Sequence, residues 1–181
     1  ELYALMLFSL SGAVILFFFF ILVTLFLGIE VLSIPLYVMA GSNKTDLRSS
    51  EAAIKYFLMG AFATGFLLFG TALVYGSAGT FDIATISAYS IENSKNTMFV
   101  LGIMLMLSAM AFKVSLAPFH MWSPDVYQGS PSIITAYMAS VVKIAGFFAF
   151  FKLMNLAFAG SIKEWINIIG VLVIITLLLS N

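Results

Sequence analysis

Apolar positions fall in five long blocks along the chain, and the polar positions cluster between them. A membrane-crossing helix takes about 20 residues at 1.5 Å rise. The first block, 2–40, is nearly twice that length and holds one charge, Glu30. It predicts two helices, 2–20 and 22–40, joined by a tight turn near 18–23 that no turn residue marks. Gly41-Ser42-Asn43 ends the second, and a polar loop, 44–50, follows. Ser50 is the expected cap of a third helix over 51–75, with Glu51 in its first turn. A longer polar loop, 76–96, leads to a fourth helix over 97–117. The stretch 118–131, PFHMWSPDVYQGSP, carries three of the chain's four prolines, Pro118, Pro124 and Pro131, and predicts a break. A fifth helix is expected over 132–151, a short loop over 152–163, and a sixth, truncated helix over 164–181.

Composition fixes the class. Of 181 residues, 62% are apolar and 9% charged, with a mean hydropathy of +1.13; soluble domains are about 25% charged. The fold class is an all-α membrane protein, a multi-helix transmembrane bundle with one broken helix. A net charge of zero gives no footprint for nucleic acid. The absence of Cys removes disulfide, thiol and cluster-ligand chemistry. No glycine-rich nucleotide motif is present. Phe17–Phe20 and the ten Met read as lipid-facing or packing residues, not as a quinone or cofactor site. Glu1 in place of an initiator Met, and an apolar run that stops at the end, predict a piece of a longer protein. Lys44 and Arg48 on one side against Lys95, Lys152 and Lys163 on the other leave orientation undecided by charge.

Four charges then stand out inside apolar helices: Glu30, Lys55, Lys113 and Lys143. An ionised side chain at the centre of a membrane helix costs roughly 2.5–3.5 kcal/mol on insertion scales, so such residues mark ion paths or buried pairs. Pro35, five residues after Glu30, leaves a carbonyl near Val31 without its donor. Lys113 stands five residues before Pro118, where a break admits water and motion. Burial disfavours an ammonium and a nearby carboxylate favours it, so a moving carboxylate would load or release a proton. Packing pairs, and for Lys113 a snorkelling amine, are the competing readings. Lys143 is too central to snorkel easily, and its small neighbours Ala139, Ser140, Ala145 and Gly146 permit close helix approach. Lys55 follows Glu51 by one turn, so a surface pair explains it as well as function does. His120, in the broken segment, is a candidate proton carrier; no ligand cluster accompanies it, so it predicts no metal site. Asp125 after Pro124 is a cap or turn residue, or a further site.

The segments GIEVLSIPLYVMAG (28–41), EAAIKYFLMGAFATGFLLFGTALVYG (51–76) and FKVSLAPFHMWSPDVYQGSP (112–131) resemble the antiporter-like subunit N family of respiratory complex I. The likeness covers essentially the whole chain, about the fourth to the ninth helix of that family, and the pattern PFHxWxPDVYQGxP is specific to it. The resemblance implies two inverted five-helix repeats, each with a helix broken near the midplane. Residues 1–151 would be the first repeat and 164–181 the start of the second. It implies proton translocation through Glu30, Lys55, Lys113, Lys143 and His120, with the loop 44–50 and the break facing the cytoplasm of a bacterium. The turn near 18–23 departs from relatives in being Phe-rich.

The expected function is thus that of a proton-translocating subunit of an NADH:quinone oxidoreductase in the bacterial inner membrane. By the resemblance this chain binds no cofactor; NADH, FMN, iron–sulfur clusters and quinone belong to partner subunits. Its expected partners are the lipid bilayer and the other antiporter-like and small membrane subunits. A secondary Na⁺/H⁺ antiporter subunit is the alternative, and a scaffold with purely structural ion pairs is the other.

Overall fold

The computed structural model describes residues 1–180, with side chains described through Leu179. Its elements are α1 (Leu2–Phe18), α2 (Leu22–Ala40), α3 (Leu47–Ala78), α4 (Ile83–Glu92), α5 (Thr97–Val114), α6 (Ser123–Gly129), α7 (Ser132–Ala157) and α8 (Ile162–Ser180). Five stretches are long and apolar enough to cross a membrane: Leu22–Ala40, Leu47–Ala78, Thr97–Val114, Ser132–Ala157 and Ala159–Leu179. Large apolar side chains point outward on most helices, as in Phe62, Phe69 and Ile133. This is an all-helical integral membrane protein.

Helix boundaries differ from the sequence expectations where local chemistry competes with hydropathy. The third helix starts at Leu47, not at 51, because Asp46 rather than Ser50 caps it, accepting from the Arg48 N–H at 2.9 Å. It ends beyond 75, at Ala78, where Gly79 takes a left-handed φ of 71°. The expected loop 76–96 contains α4. Asp82 caps that helix, and Ile83, Ile86 and Ser90 bury one face, a ten-residue pattern too short to read as a span. The fifth helix runs past 151 to Ala157 through two π turns, Met138–Val142 and Leu153–Ala157. It can do so because Lys152, expected in a loop, finds partners within the fold. Its Nζ donates to the Phe17 carbonyl at 3.1 Å and lies 4.6 and 4.5 Å from the Phe19 and Phe20 ring centres. The last helix starts at Ile162, not 164, after a 3₁₀ turn at Ala159–Ser161. Its final expected residue, Asn181, lies outside the described residues.

The unmarked turn between α1 and α2 has a partner too. Helix α1 stops at Phe18, not 20, and Ile21 pairs with Asp82 in a β-bridge. Leu22 N donates to Phe81 O at 2.9 Å and Ile83 N to Phe20 O at 3.0 Å. The turn's exposed backbone groups are thereby satisfied without Gly or Pro.

Two ends of the bundle result. One holds the α2–α3 loop and α6, which packs on the start of α3. The other holds the α1–α2 turn, α4 and the α7–α8 connection, where Gly160 N donates to Ser90 Oγ at 3.1 Å. Between them, α3 runs along α5, and α2 along α1. Gly70 and Gly102 let the first pair approach: a Cβ on Gly102 would lie 3.0 Å from the Gly70 carbonyl. Gly12 does the same for α1 on α2, where a Cβ would lie 2.7 Å from Leu32 Cα.

Candidate functional site

The site begins with the turn of α2 that precedes Pro35. Ser9 of α1 donates to the Leu32 carbonyl at 2.9 Å, and Gly12 brings the α1 backbone against Val31 and Leu32. Pro35 lies buried within α2 and supplies no N–H to Val31. This braced turn carries Glu30 and, one turn on, Ser33. Glu30 accepts from Thr64 Oγ1 of α3 at 2.7 Å.

The break ends α5 three residues sooner than expected, at Val114 instead of 117. Pro118 disfavours helical geometry at Ala117 and has no N–H to give. The helix closes with a Schellman motif, Leu116 N donating to Ala111 O at 2.9 Å, and Ser115 takes the left-handed φ of 61° that glycine usually fills. Thr176 of α8 accepts from Ala117 N at 3.0 Å, so α8 ties down the unwound strand. Trp122 then anchors the connection: its Nε1 donates to Phe112 O at 3.1 Å, and its ring stacks on Tyr56 at 4.8 Å. The broken segment 118–131 is not all loop, since Ser123–Gly129 forms α6.

These elements bring both central lysines to one place. Lys113 is 8% exposed, and its Nζ donates to Ser33 Oγ at 2.5 Å. Ser33 in turn donates to the Ile29 carbonyl at 2.5 Å. Lys143, on α7 just after a π turn, donates to Ser115 Oγ and, at 3.4 Å, to the carbonyl of Lys113 itself. Its amine also lies 5.1 Å from the Trp122 ring centre. Its sequence neighbours offer it no partner; the break does.

Glu30 and Lys113 do not touch. Among the described residues neither forms an ion pair within 4 Å. Thr64 holds the carboxylate and Ser33 holds the ammonium. A cavity of about 20 Å³ lies between α2, α3 and α5, lined among others by Ser33, Tyr37, Tyr56, Thr64 and Lys113. That volume holds about one water molecule.

His120 lies beyond the break, half-buried. Among the described residues its buried Nδ1 has no hydrogen-bond partner. It lines a cavity of about 230 Å³ with Ser115, Ser123 and Thr176. Ser115 therefore connects the Lys143 amine to the His120 cavity.

Lys55 stands apart from this line. It pairs at 2.6 Å with Glu51 on its own helix and at 2.6 Å with Asp125 on α6, with all three side chains exposed. A cavity of about 240 Å³ lined by Arg48, Glu51, Lys55, Asp125 and Gln128 opens there, at the end of the bundle. Asp125 is thus the second acid on Lys55. Pro124 sits in the first turn of α6 and Pro131 precedes α7, so these two prolines start helices, whereas Pro118 ends one. Among the described residues no cluster of three His, Cys, Asp or Glu comes together. Sequence reasoning did not single out Ser33, Thr64, Ser115 and Thr176. The available signal was Ser33, three residues after Glu30 and so on its face of the helix.

A profile described as NADH:quinone oxidoreductase/Mrp antiporter, TM matches residues 21–181. NADH-quinone oxidoreductase subunit N of Trichlorobacter lovleyi is 44% identical, over 100% of this chain and 38% of its own length. The protein of the same name from Cytophaga hutchinsonii is 52% identical, over 86% of this chain and 34% of its own. The chain spans about a third of the length of these curated relatives. A chain of respiratory complex I from Thermus thermophilus superposes with a TM-score of 0.73 at 38% identity, covering 82% of this chain and 33% of that one. A chain of the Mrp complex from Dietzia sp. gives a TM-score of 0.76 at 25% identity, covering 86% and 29%.

Proposed function

The chain belongs to the NADH:quinone oxidoreductase/Mrp antiporter transmembrane family, and from that premise we propose that it is part of a subunit N that moves protons in an NADH:quinone oxidoreductase. The observation that carries the reading is the meeting of the two lysines at the unwound end of α5, where Lys143 reaches both Ser115 and the carbonyl of Lys113. Identities of 44% and 52% to proteins named subunit N favour it over the Mrp type, at 25%.

Protonated Lys113 is held by Ser33, and Glu30, which Thr64 fixes, is the carboxylate that stabilises its charge on this reading. The cavity beside Lys113 admits about one water, enough to bring a proton to the amine. When the stabilisation from Glu30 weakens, the buried ammonium becomes the costlier form and gives up its proton. Lys143 is the next basic group, bonded to the residue that carries the donor. Its other partner, Ser115, lines the cavity of His120, whose buried Nδ1 has no hydrogen-bond partner among the described residues. Lys55 with Asp125 lies off this line, at the end of the bundle where α6 packs on α3. The redox groups, NADH, FMN, iron–sulfur clusters and quinone, belong to partner subunits on this reading. Coupling arrives through neighbouring antiporter-like and small membrane subunits of the bacterial inner membrane, and the end with α6 faces the cytoplasm. On this reading residues 1–157, to the end of α7, form the first five-helix repeat, and α8 opens the second.

Lys143→Ala in the full-length subunit, in membrane vesicles carrying the assembled complex, tests this. We expect at least a tenfold loss of the NADH-driven pH gradient, with Lys143→Arg milder. A gradient unchanged in Lys143→Ala would remove Lys143 from the path.

A further inference from the structure

We propose that Ser33 is a positioning residue that serves Lys113 in both of its protonation states and keeps that lysine from locking onto Glu30. The inference rests on the proton-transfer reading of Lys113 and deepens it.

A lysine ammonium has three donors and no acceptor, whereas a serine hydroxyl both donates and accepts. In the structure Ser33 Oγ accepts from Lys113 Nζ at 2.5 Å and directs its own hydrogen to the Ile29 carbonyl at 2.5 Å. That is the arrangement the charged amine requires. A neutral amine has a lone pair, and the same hydroxyl can rotate to donate to it. No backbone movement is needed, because the Ser33 rotor only changes which neighbour receives its hydrogen. The residue is 1% exposed, so no bulk water competes for the role.

The surroundings make this hydrogen bond matter. From α2, Glu30 lies one turn before Ser33 and is held by Thr64 of α3, while the Tyr37 phenol neighbours both Ser33 and Glu30. From α3, Tyr56 lines the same small cavity, and from α7 Lys143 adds a second positive charge. A direct contact between Glu30 and Lys113 in this dry place would favour the charged pair and trap the proton. With Thr64 holding the acid and Ser33 holding the base, the two interact across a gap, and the lysine stays able to release. Lys143 repeats the device at the break, with Ser115 as its hydroxyl partner.

The test uses the full-length subunit in membrane vesicles with the assembled complex, following NADH-driven quinone reduction and pH-gradient formation at equal complex content. Three variants are compared: Ser33→Ala, and the isosteric pair Ser33→Thr and Ser33→Val, which differ only in the hydroxyl. Expected are losses of about tenfold in Ser33→Ala and Ser33→Val, with Ser33→Thr retaining at least half of the wild-type rate. Wild-type rates in Ser33→Ala, or equal rates in the Thr and Val variants, overturn the proposal. Should the bulkier pair not assemble, Ser33→Ala against Ser33→Cys decides, with equal wild-type rates again overturning it. Lys113→Ala is run in parallel. If it loses pumping while Ser33→Ala does not, only this inference fails; if both retain pumping, the proton-path reading fails with it.

Discussion

Thr64 donates to Glu30 from α3, and Thr64→Val keeps its volume while removing that donor. Freed from its anchor, the carboxylate can turn toward Lys113. The expected outcome is a several-fold lower rate of gradient formation, with Thr64→Ser near wild type; equal rates in the Val and Ser variants would remove the hydrogen bond from the account. Lys55 behaves differently, because its two acids are exposed and such pairs contribute little. Lys55→Ala and Asp125→Ala disrupt one contact, so the double variant should be no worse than the worse single one, read as subunit content in membranes. Outside the spans, Asp82 accepts from both the N–H and the hydroxyl of Thr85, which hold its carboxyl below its usual value of 3.8. The ionised cap is therefore favourable above the unfolded value and is lost as pH falls through the lowered one. Backbone amide exchange in α4 should quicken only below about pH 4, and at neutral pH in Asp82→Ala. The charges themselves were legible from sequence, since a Lys in an apolar helix is conspicuous. Their hydroxyl partners were not, because a Ser or Thr in a membrane helix is ordinarily satisfied by its own helix's carbonyls, as Ser108 and Thr71 are here.

Helices were legible by their length and apolar content, and the break by Pro118. Competing local chemistry set the ends instead. Lys152 looked like a loop residue until the Phe17 carbonyl and two phenylalanine faces received it. Helix α4 looked like a loop because its apolar face, Ile83 and Ile86, is a two-residue signal. The Phe-rich turn looked unsupported because its partner, Phe81–Ile83, lies 60 residues away in sequence. Close helix approach depends on particular glycines. In Gly102→Val the new side chain meets the Gly70 carbonyl and the Val74 backbone, whereas Gly65 faces open space on the same α3 that carries Gly70. Gly102→Val should cut the amount of subunit in membranes severalfold and Gly65→Val should leave it within about twofold, read by quantitative immunoblot.

Across the whole molecule, the polar groups form a line through an apolar bundle. It runs from Thr64 and Glu30 past Ser33 to Lys113, then by its own carbonyl to Lys143, Ser115 and the cavity of His120. The line draws on α2, α3, α5 and α7, so no single helix carries it. The unwound end of α5 joins the two lysines, and α8 fastens that end through Thr176. Motion of α8, or of whatever packs on it, therefore reaches the lysines through one hydrogen bond to the break. The most direct measurement is on Lys113→Ala in membrane vesicles carrying the complete complex, following NADH-driven quinone reduction and pH-gradient formation together. At normal complex content, both should fall at least tenfold, because an obligatory proton site stalls the redox step coupled to it. Undiminished quinone reduction with an undiminished gradient would contradict the account and leave Lys113 a packing residue.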